Sequence, residues 1–307
     1  MNEPKAWLKK RLATILLATD LEQNSKLALG YAASLAHFFE SKLRSLYVFE
    51  FGPWGHSVEA LDHVPSRDRM DAQASLEKFI AEAGYSDVVS EVVNDETLVT
   101  SAIIKALTEK SVDLLVIGTE GLHTGIDHLL LGSNTEALML GSQKPILTVG
   151  PNVPDVSERE IQYRKVIYIS DLSIASTSAA IYAFALSEAF GVEIEIYQLA
   201  SKAAKRDPKA LKRMTAQYCD LLRFADPDLP TTWFDVDFQL SKIVSEDELI
   251  ASTSESSNLI VLGVQAASFV QRHLRTSLAY RLLAGARSPV LTVPASSAAA
   301  SIESAQL

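Results

Sequence analysis

The segment Asp113–Gly150, DLLVIGTEGLHTGIDHLLLGSNTEALMLGSQKPILTVG, decides the fold. Its first apolar run, Leu114 to Ile117, has strand length and is bounded by a glycine. Gly118 and Gly121 break the run, and Gly132-Ser133 follow. A helix-like piece, Asn134 to Leu140, leads to a second apolar run, Ile146 to Val149. The order is strand, glycine loop, helix, strand. In open α/β sheets such a loop lies at the carboxyl ends of the strands, where ligands sit. Glycines let backbone N–H groups come close to a phosphate, and a helix start adds partial positive charge. Ser133 and Asn134 are the candidate caps of that helix. The pattern points to an anion or nucleotide at a helix N-terminus. It is not the P-loop, because no Gly-Lys-Ser/Thr occurs here, and it is not the dinucleotide fingerprint. A plainer reading stands beside it: the glycines serve only a tight loop and close packing of helix on sheet.

Upstream of this segment, strand and helix alternate. Strands are expected over 12–18, 43–49 and 88–93, and helices from Asn24 or Ser25 to Phe39, over 67–83 and over 96–109. Alternation of this kind predicts a parallel sheet with helices on both faces. The pattern then restarts. Strands are expected over 165–169, 192–197, 233–240, 259–263 and 290–293, with helices over 176–190, 208–224, 246–253 and 278–283. Ser170-Asp171 repeats Thr19-Asp20, LGVQA answers IGTEG, and SPVLTVP answers KPILTVG. These matches make an internal duplication with a period of about 150 residues. The expected domains are 1–150 and 161–294, joined by a linker over 151–160 and followed by a loose Ala/Ser-rich tail over 295–307.

Composition narrows the function classes. A formal net charge of −10 argues against nonspecific binding to nucleic acid or to an anionic membrane surface. An anionic ligand would then be held by local dipoles and donors. One cysteine, Cys219, excludes an internal disulfide framework and fits a reducing compartment. No apolar run approaches the roughly 20 residues of a membrane helix. The start, MNEPKAWLKKR, lacks the apolar core of a signal peptide, so a cytoplasmic protein is expected.

The motifs ILLATD, LYVFE and DLLVIGTEG…LLLGSNTEALMLGSQKPILTVG, in that order, resemble the universal stress protein family. The resemblance covers nearly the whole chain as two tandem domains. It implies two five-stranded parallel α/β sandwiches, Rossmann-like and of the adenine nucleotide alpha hydrolase-like kind, packed as a pseudo-dimer through the edge strands Ile146–Val149 and Val290–Val293, with a homodimer open. Pairing of those strands also removes an exposed edge. The implied ligand is ATP or a related adenine nucleotide, with Mg possible. By this resemblance Asp20 would lie near adenine and ribose, and Val48 would offer backbone hydrogen bonds to the base. Ile117 and Gly118 would line the ribose, and Gly121, Gly132, Ser133 and Asn134 would cradle the phosphates.

The sequence departs from the family motif in two ways. Ten residues separate Gly121 from Gly132, where the nucleotide-binding members have nine. Glu120 stands where many members carry histidine. The second copy departs further: Ala266 and Thr276 replace two glycines, although Gly263, Ser277 and Asp171 persist. Gln198 stands roughly where Val48 stands in the first copy, and Arg272, His273 and Arg275 make its loop basic.

Other clusters read as polar surface loops. His56, Glu59, Asp62 and His63 are of metal-ligand type but lack HExxH spacing, and His123, Asp127 and His128 lie inside the glycine loop. No G-x-S-x-G elbow is present, so hydrolase chemistry is not expected beyond slow, incidental ATP turnover. The expected function is ligand-responsive stress regulation. A non-nucleotide module that binds a protein partner is the alternative.

Overall fold

The computed structural model describes residues 3–49, 66–94, 98–119, 133–156, 161–199, 242–253, 255–264 and 278–295, with separate positions between 207 and 222. Five strands come from the first half: β1 (Thr14–Thr19), β2 (Lys42–Phe49), β3 (Val89–Asn94), β4 (Leu114–Gly118) and β5 (Ile146–Val149). Five come from the second: β6 (Lys165–Ser170), β7 (Glu193–Leu199), β8 (Lys242–Val244), β9 (Asn258–Val264) and β10 (Val290–Pro294). They form one ten-stranded sheet in the order β3-β2-β1-β4-β5-β10-β9-β6-β7-β8. Every pairing is parallel except that of β5 with β10, which is antiparallel with Leu147 opposite Leu291. The second half thus repeats the strand order of the first, run in the opposite sense.

Central strands are apolar along their whole length because helices cover both faces. All residues of β4 but Gly118, and all of β9 but Asn258 and Gly263, are buried aliphatics. One face carries α1 (Glu3–Arg11), α2 (Gln23–Phe39), α3 (Ser66–Glu82) and α6 (Ile174–Phe190), and residues Tyr218 and Leu222 join this layer. The other face carries α4 (Val99–Glu109), α5 (Ser133–Gly141), α7 (Glu246–Ser252) and α8 (Leu278–Gly285). Among the described residues, no helix is long and apolar enough to cross a membrane.

The halves meet in the first layer. Phe38 and Phe39 of α2 pack on Phe190 of α6, and Phe190 packs on Tyr163. Helix α1, which the sequence pattern does not announce, crosses from the first half to α6, with Leu8 fully buried and Trp7 edge-on to Tyr182. The segment before β6 makes the answering contact. Val156 lies 3.7 Å from the position a Gly30 Cβ would take, and the Pro154 carbonyl accepts a hydrogen bond from the Tyr31 hydroxyl at 3.1 Å. Tyr31 and Tyr182 occupy the same position of α2 and α6, so each half's leading segment packs on the other half's first helix. Residues 151–156 of the expected linker are therefore tied down: Val153 is buried, and its N–H bonds the Gly150 carbonyl at 3.2 Å.

Candidate functional site

Strand order reverses between β1 and β4, because β1 is followed by β2 on one side and β4 lies on the other. At such a switch point the loops leave for opposite faces of the sheet and a crevice opens at the carboxyl ends. Asp20 follows β1 directly, and Ile117 and Gly118 end β4, where Ala18 is the register partner of Ile117. Val48 lies one residue before the end of β2, and α5 begins at Ser133, which places Ser133 and Asn134 in its first turn. Gly121 and Gly132 lie outside the described residues, as do Glu120 and the histidine clusters at 56–63 and 123–128. The described members of the predicted set therefore share one edge of the sheet, on strands β1, β2 and β4 and on helix α5.

The turn after β1 is closed by its own side chains. The Leu21 N–H donates to Thr19 Oγ1 at 2.9 Å, and the Glu22 N–H donates to Asp20 Oδ1 at 2.9 Å. The Ser25 hydroxyl donates to the same Asp20 oxygen at 2.7 Å, while Ser25 Oγ accepts the Asp20 N–H at 3.3 Å. Asp20 thus anchors the entry to α2 as an Asx turn does. Leu21 sits at φ +68°, a left-handed conformation that costs a leucine about 1–2 kcal/mol. The hydrogen bonds on either side of it hold it there.

Gly118 has a specific packing reason. A Cβ at this position would lie 2.6 Å from the backbone carbon and oxygen of Asn24 and 2.8 Å from the Ser25 nitrogen. Real Cβ contacts do not reach such distances, so only glycine lets the first turn of α2 settle against the end of β4. For Gly118 the close-packing reading of the glycines is the one the geometry shows. Ile117 is buried, and the half-buried Val48 packs on the second-face core.

The second half repeats the turn. The Leu172 N–H donates to Ser170 Oγ at 3.1 Å, the Ser173 N–H to Asp171 Oδ1 at 3.0 Å and the Ser176 hydroxyl to Asp171 Oδ1 at 2.5 Å, with Leu172 at φ +61°. Its surroundings differ. Tyr168 stands where the first half has Leu17, and its hydroxyl donates to the Ser176 carbonyl at 2.8 Å and lies 2.7 Å from the Tyr218 hydroxyl. Burial pushes both phenols well above the usual tyrosine range. The Thr215 hydroxyl donates to Gln198 Oε1 at 3.2 Å, and Gln198 is 1% exposed.

Register corrects one correspondence. Gln198 pairs with Ser170 as Tyr47 pairs with Thr19, so Gln198 is the counterpart of Tyr47, and Leu199 is the counterpart of Val48. A shift of one residue changes the face a strand side chain points to. Gln198 accordingly points to the layer of Tyr218, while Leu199 joins the same core as Val48. Ser25 and Ser176 are site-forming residues that motif reading passed over. Their shared spacing from Asp20 and Asp171 was the available signal.

A doubly wound α/β sheet whose strand order reverses between β1 and β4 defines a sandwich of Rossmann type. Residues 12–150 match the model described as the universal stress protein family, so the first half of the chain carries a domain of that family. A universal stress protein of Methanocaldococcus jannaschii is 26% identical over 140 residues, which are 44% of this chain and 80% of that protein. The crystal structure of a universal stress protein from Archaeoglobus fulgidus is similar in fold, with a TM-score of 0.60 and 17% identity over 93% of this chain and 99% of its own. A protein of unknown function from Pseudomonas aeruginosa is similar to the same degree, with a TM-score of 0.59 and 17% identity over 99% of both chains.

Proposed function

We propose that the first half binds ATP or a related adenine nucleotide in the β1/β4 crevice and that the protein acts as a cytoplasmic stress regulator with little or no turnover. The observation that carries this reading is the convergence of Asp20, Val48, Ile117, Gly118, Ser133 and Asn134 on the carboxyl edge at the point where strand order reverses. The base and ribose would meet the floor of Val48 and Ile117. The phosphates would meet Gly121, Gly132 and the first turn of α5, where backbone N–H groups have no partner within the helix. A divalent ion such as Mg would serve as counter-ion to the phosphates. The domains on which the proposal rests are 1–150 and 161–294.

A protein-interaction module is the second reading, and two observations favour it. Gly118 is explained by its contact with Asn24 and Ser25, and one Asp20 oxygen is occupied by the turn. Calorimetric titration of nucleotide-stripped protein with ATP, AMP and cyclic AMP, beside Gly132→Val, separates the two. Saturable binding that the substitution abolishes supports the crevice. Binding that survives it moves the ligand to the basic loop of the second half, and no binding at all removes the nucleotide reading in favour of the partner module.

A further inference from the structure

Three matching positions of the two halves carry charges of opposite sign, although the ion pairs centre on Glu91 in the first half and on Glu195 in the second. In the first half, Arg44 of β2 bonds Glu91 of β3 at 3.2 Å, and Glu91 also pairs with Lys110 just after α4. In the second half, Glu195 of β7 pairs with Lys242 of β8 and with Lys165 of β6, the latter at 2.7 Å, and Glu255 acts on Lys165 from the turn before β9. Strand register makes these positions equivalent. Arg44 lies opposite Leu16 and Glu195 opposite Ile167, and Leu16 and Ile167 are both the third residue of their strands. Glu91 lies opposite Leu46 and Lys242 opposite Tyr197, and Leu46 and Tyr197 are both two residues beyond those strand cations and anions. Lys110 and Glu255 each stand four residues before the matching leucines Leu114 and Leu259. Plus, minus, plus in one half is minus, plus, minus in the other.

We infer that this exchange keeps each half's outermost strand from docking on the other half. β3 and β8 are the outer strands of the sheet, and each is held by a single neighbour, β2 or β7. Halves with the same strand order and similar apolar cores offer similar docking edges, so backbone pairing and burial alone discriminate weakly between right and wrong partners. Charge supplies the missing discrimination, because like charges facing each other across strands are destabilising. With β8 on β2 in the same register, Lys242 would lie opposite Leu46 and diagonal to Arg44, within reach of that cation and with no acid between them. With β3 on β7, Glu91 would lie opposite Tyr197 and diagonal to Glu195, like charge beside like charge. Only the native pairing sets Arg44 beside Glu91 and Glu195 beside Lys242. Lys165, which stands where the first half has Thr14, balances the additional acid of the second half.

The test uses the full chain refolded from denaturant at low salt, read by the monomeric fraction with native circular dichroism. The variant Arg44→Glu/Glu91→Lys/Lys110→Glu keeps the attractions within the first half but gives it the signs of the second. Its non-native or oligomeric fraction should rise roughly threefold to tenfold. The rise should shrink at about 1 M salt, where the screening length falls to about 3 Å. Adding Lys165→Thr/Glu195→Arg/Lys242→Glu/Glu255→Lys exchanges the signs in the second half as well and should restore the wild-type yield. Refolding of the first variant as clean as that of wild type overturns the inference. So does a failure of the combined variant to recover, since the defect would then be loss of stability and not mistaken pairing.

Discussion

The turns after β1 and β6 are nearly superposable in their bonding, yet what surrounds them has diverged. Both use Thr or Ser, then Asp, then a left-handed Leu, then a Ser that returns to the Asp. Around them, Tyr168 stands in place of Leu17 and Gln198 in place of Tyr47, and two glycines of the loop after β4 are answered by Ala266 and Thr276. A feature kept where the glycine pattern is lost is kept for the fold. The Asp turn therefore fixes the entry of the first helix in both halves, and any ligand contact by Asp20 is added to that task.

The comparison can be broken most sharply at Gly118. Gly118→Val places a side chain inside the backbone of α2 and should cost about 3 kcal/mol or more, at or above the usual range for overpacking, as read from urea midpoints. Gly263→Val should cost a similar amount if the second half packs its helix the same way, and a neutral result there would show that the halves differ at this joint. Next in size is Tyr168→Phe, which strips a partner from the buried Tyr218 hydroxyl and from the Ser176 carbonyl. A loss of about 1–3 kcal/mol is expected. The same experiment has no counterpart at Leu17, where the first half relies on apolar contact alone.

Asp20→Ala and Asp171→Ala form a matched pair. Each should lose about 0.5–2 kcal/mol, the range for removing a helix-entry side chain. If Asp20→Ala abolishes nucleotide binding while leaving the melting temperature unchanged, the equivalence of the two turns fails. The smallest effect lies in the acid range. Burial disfavours the charged forms of Glu91 and Glu195, but hydrogen bonds and attraction from Lys110 and Arg44, and from Lys165 and Lys242, outweigh it and hold both carboxyls below the usual range. A lowered folded pKa means stability that is full above the ordinary glutamate range and is lost as pH falls through the folded values. Thermal melts between pH 7 and 3 should show this loss, and Glu91→Gln should flatten the first half's share of it.

Strand–helix alternation over most of the described residues, the repeat and the pairing of Ile146–Val149 with Val290–Val293 were legible because period and order survive in the residues themselves, whereas β8 falls at Lys242–Val244 and the strand expected over 233–240 lies outside the described residues. Asp20, Val48 and Gly118 were legible as edge residues for the same reason. Helix α1 was not: Ala6, Trp7 and Leu8 sit among lysines and make no periodic face, and the helix rests on α6, far along the chain. The packing role of Gly118 was also hidden, since it depends on how closely α2 approaches β4. Gln198 was placed one residue off because a motif match fixes a neighbourhood, while register fixes a face.

The antiparallel join of β5 to β10 has a consequence for how such a chain can be addressed. Because the strands of the two halves run in opposite directions, the carboxyl edge of one half and that of the other open on opposite sides of the slab. A partner seated over one carboxyl edge would leave the other uncovered. The join also uses up the strand that ends each repeat. Duplication can stop at two without leaving a lonely edge at the centre, and a third repeat would find no seat there.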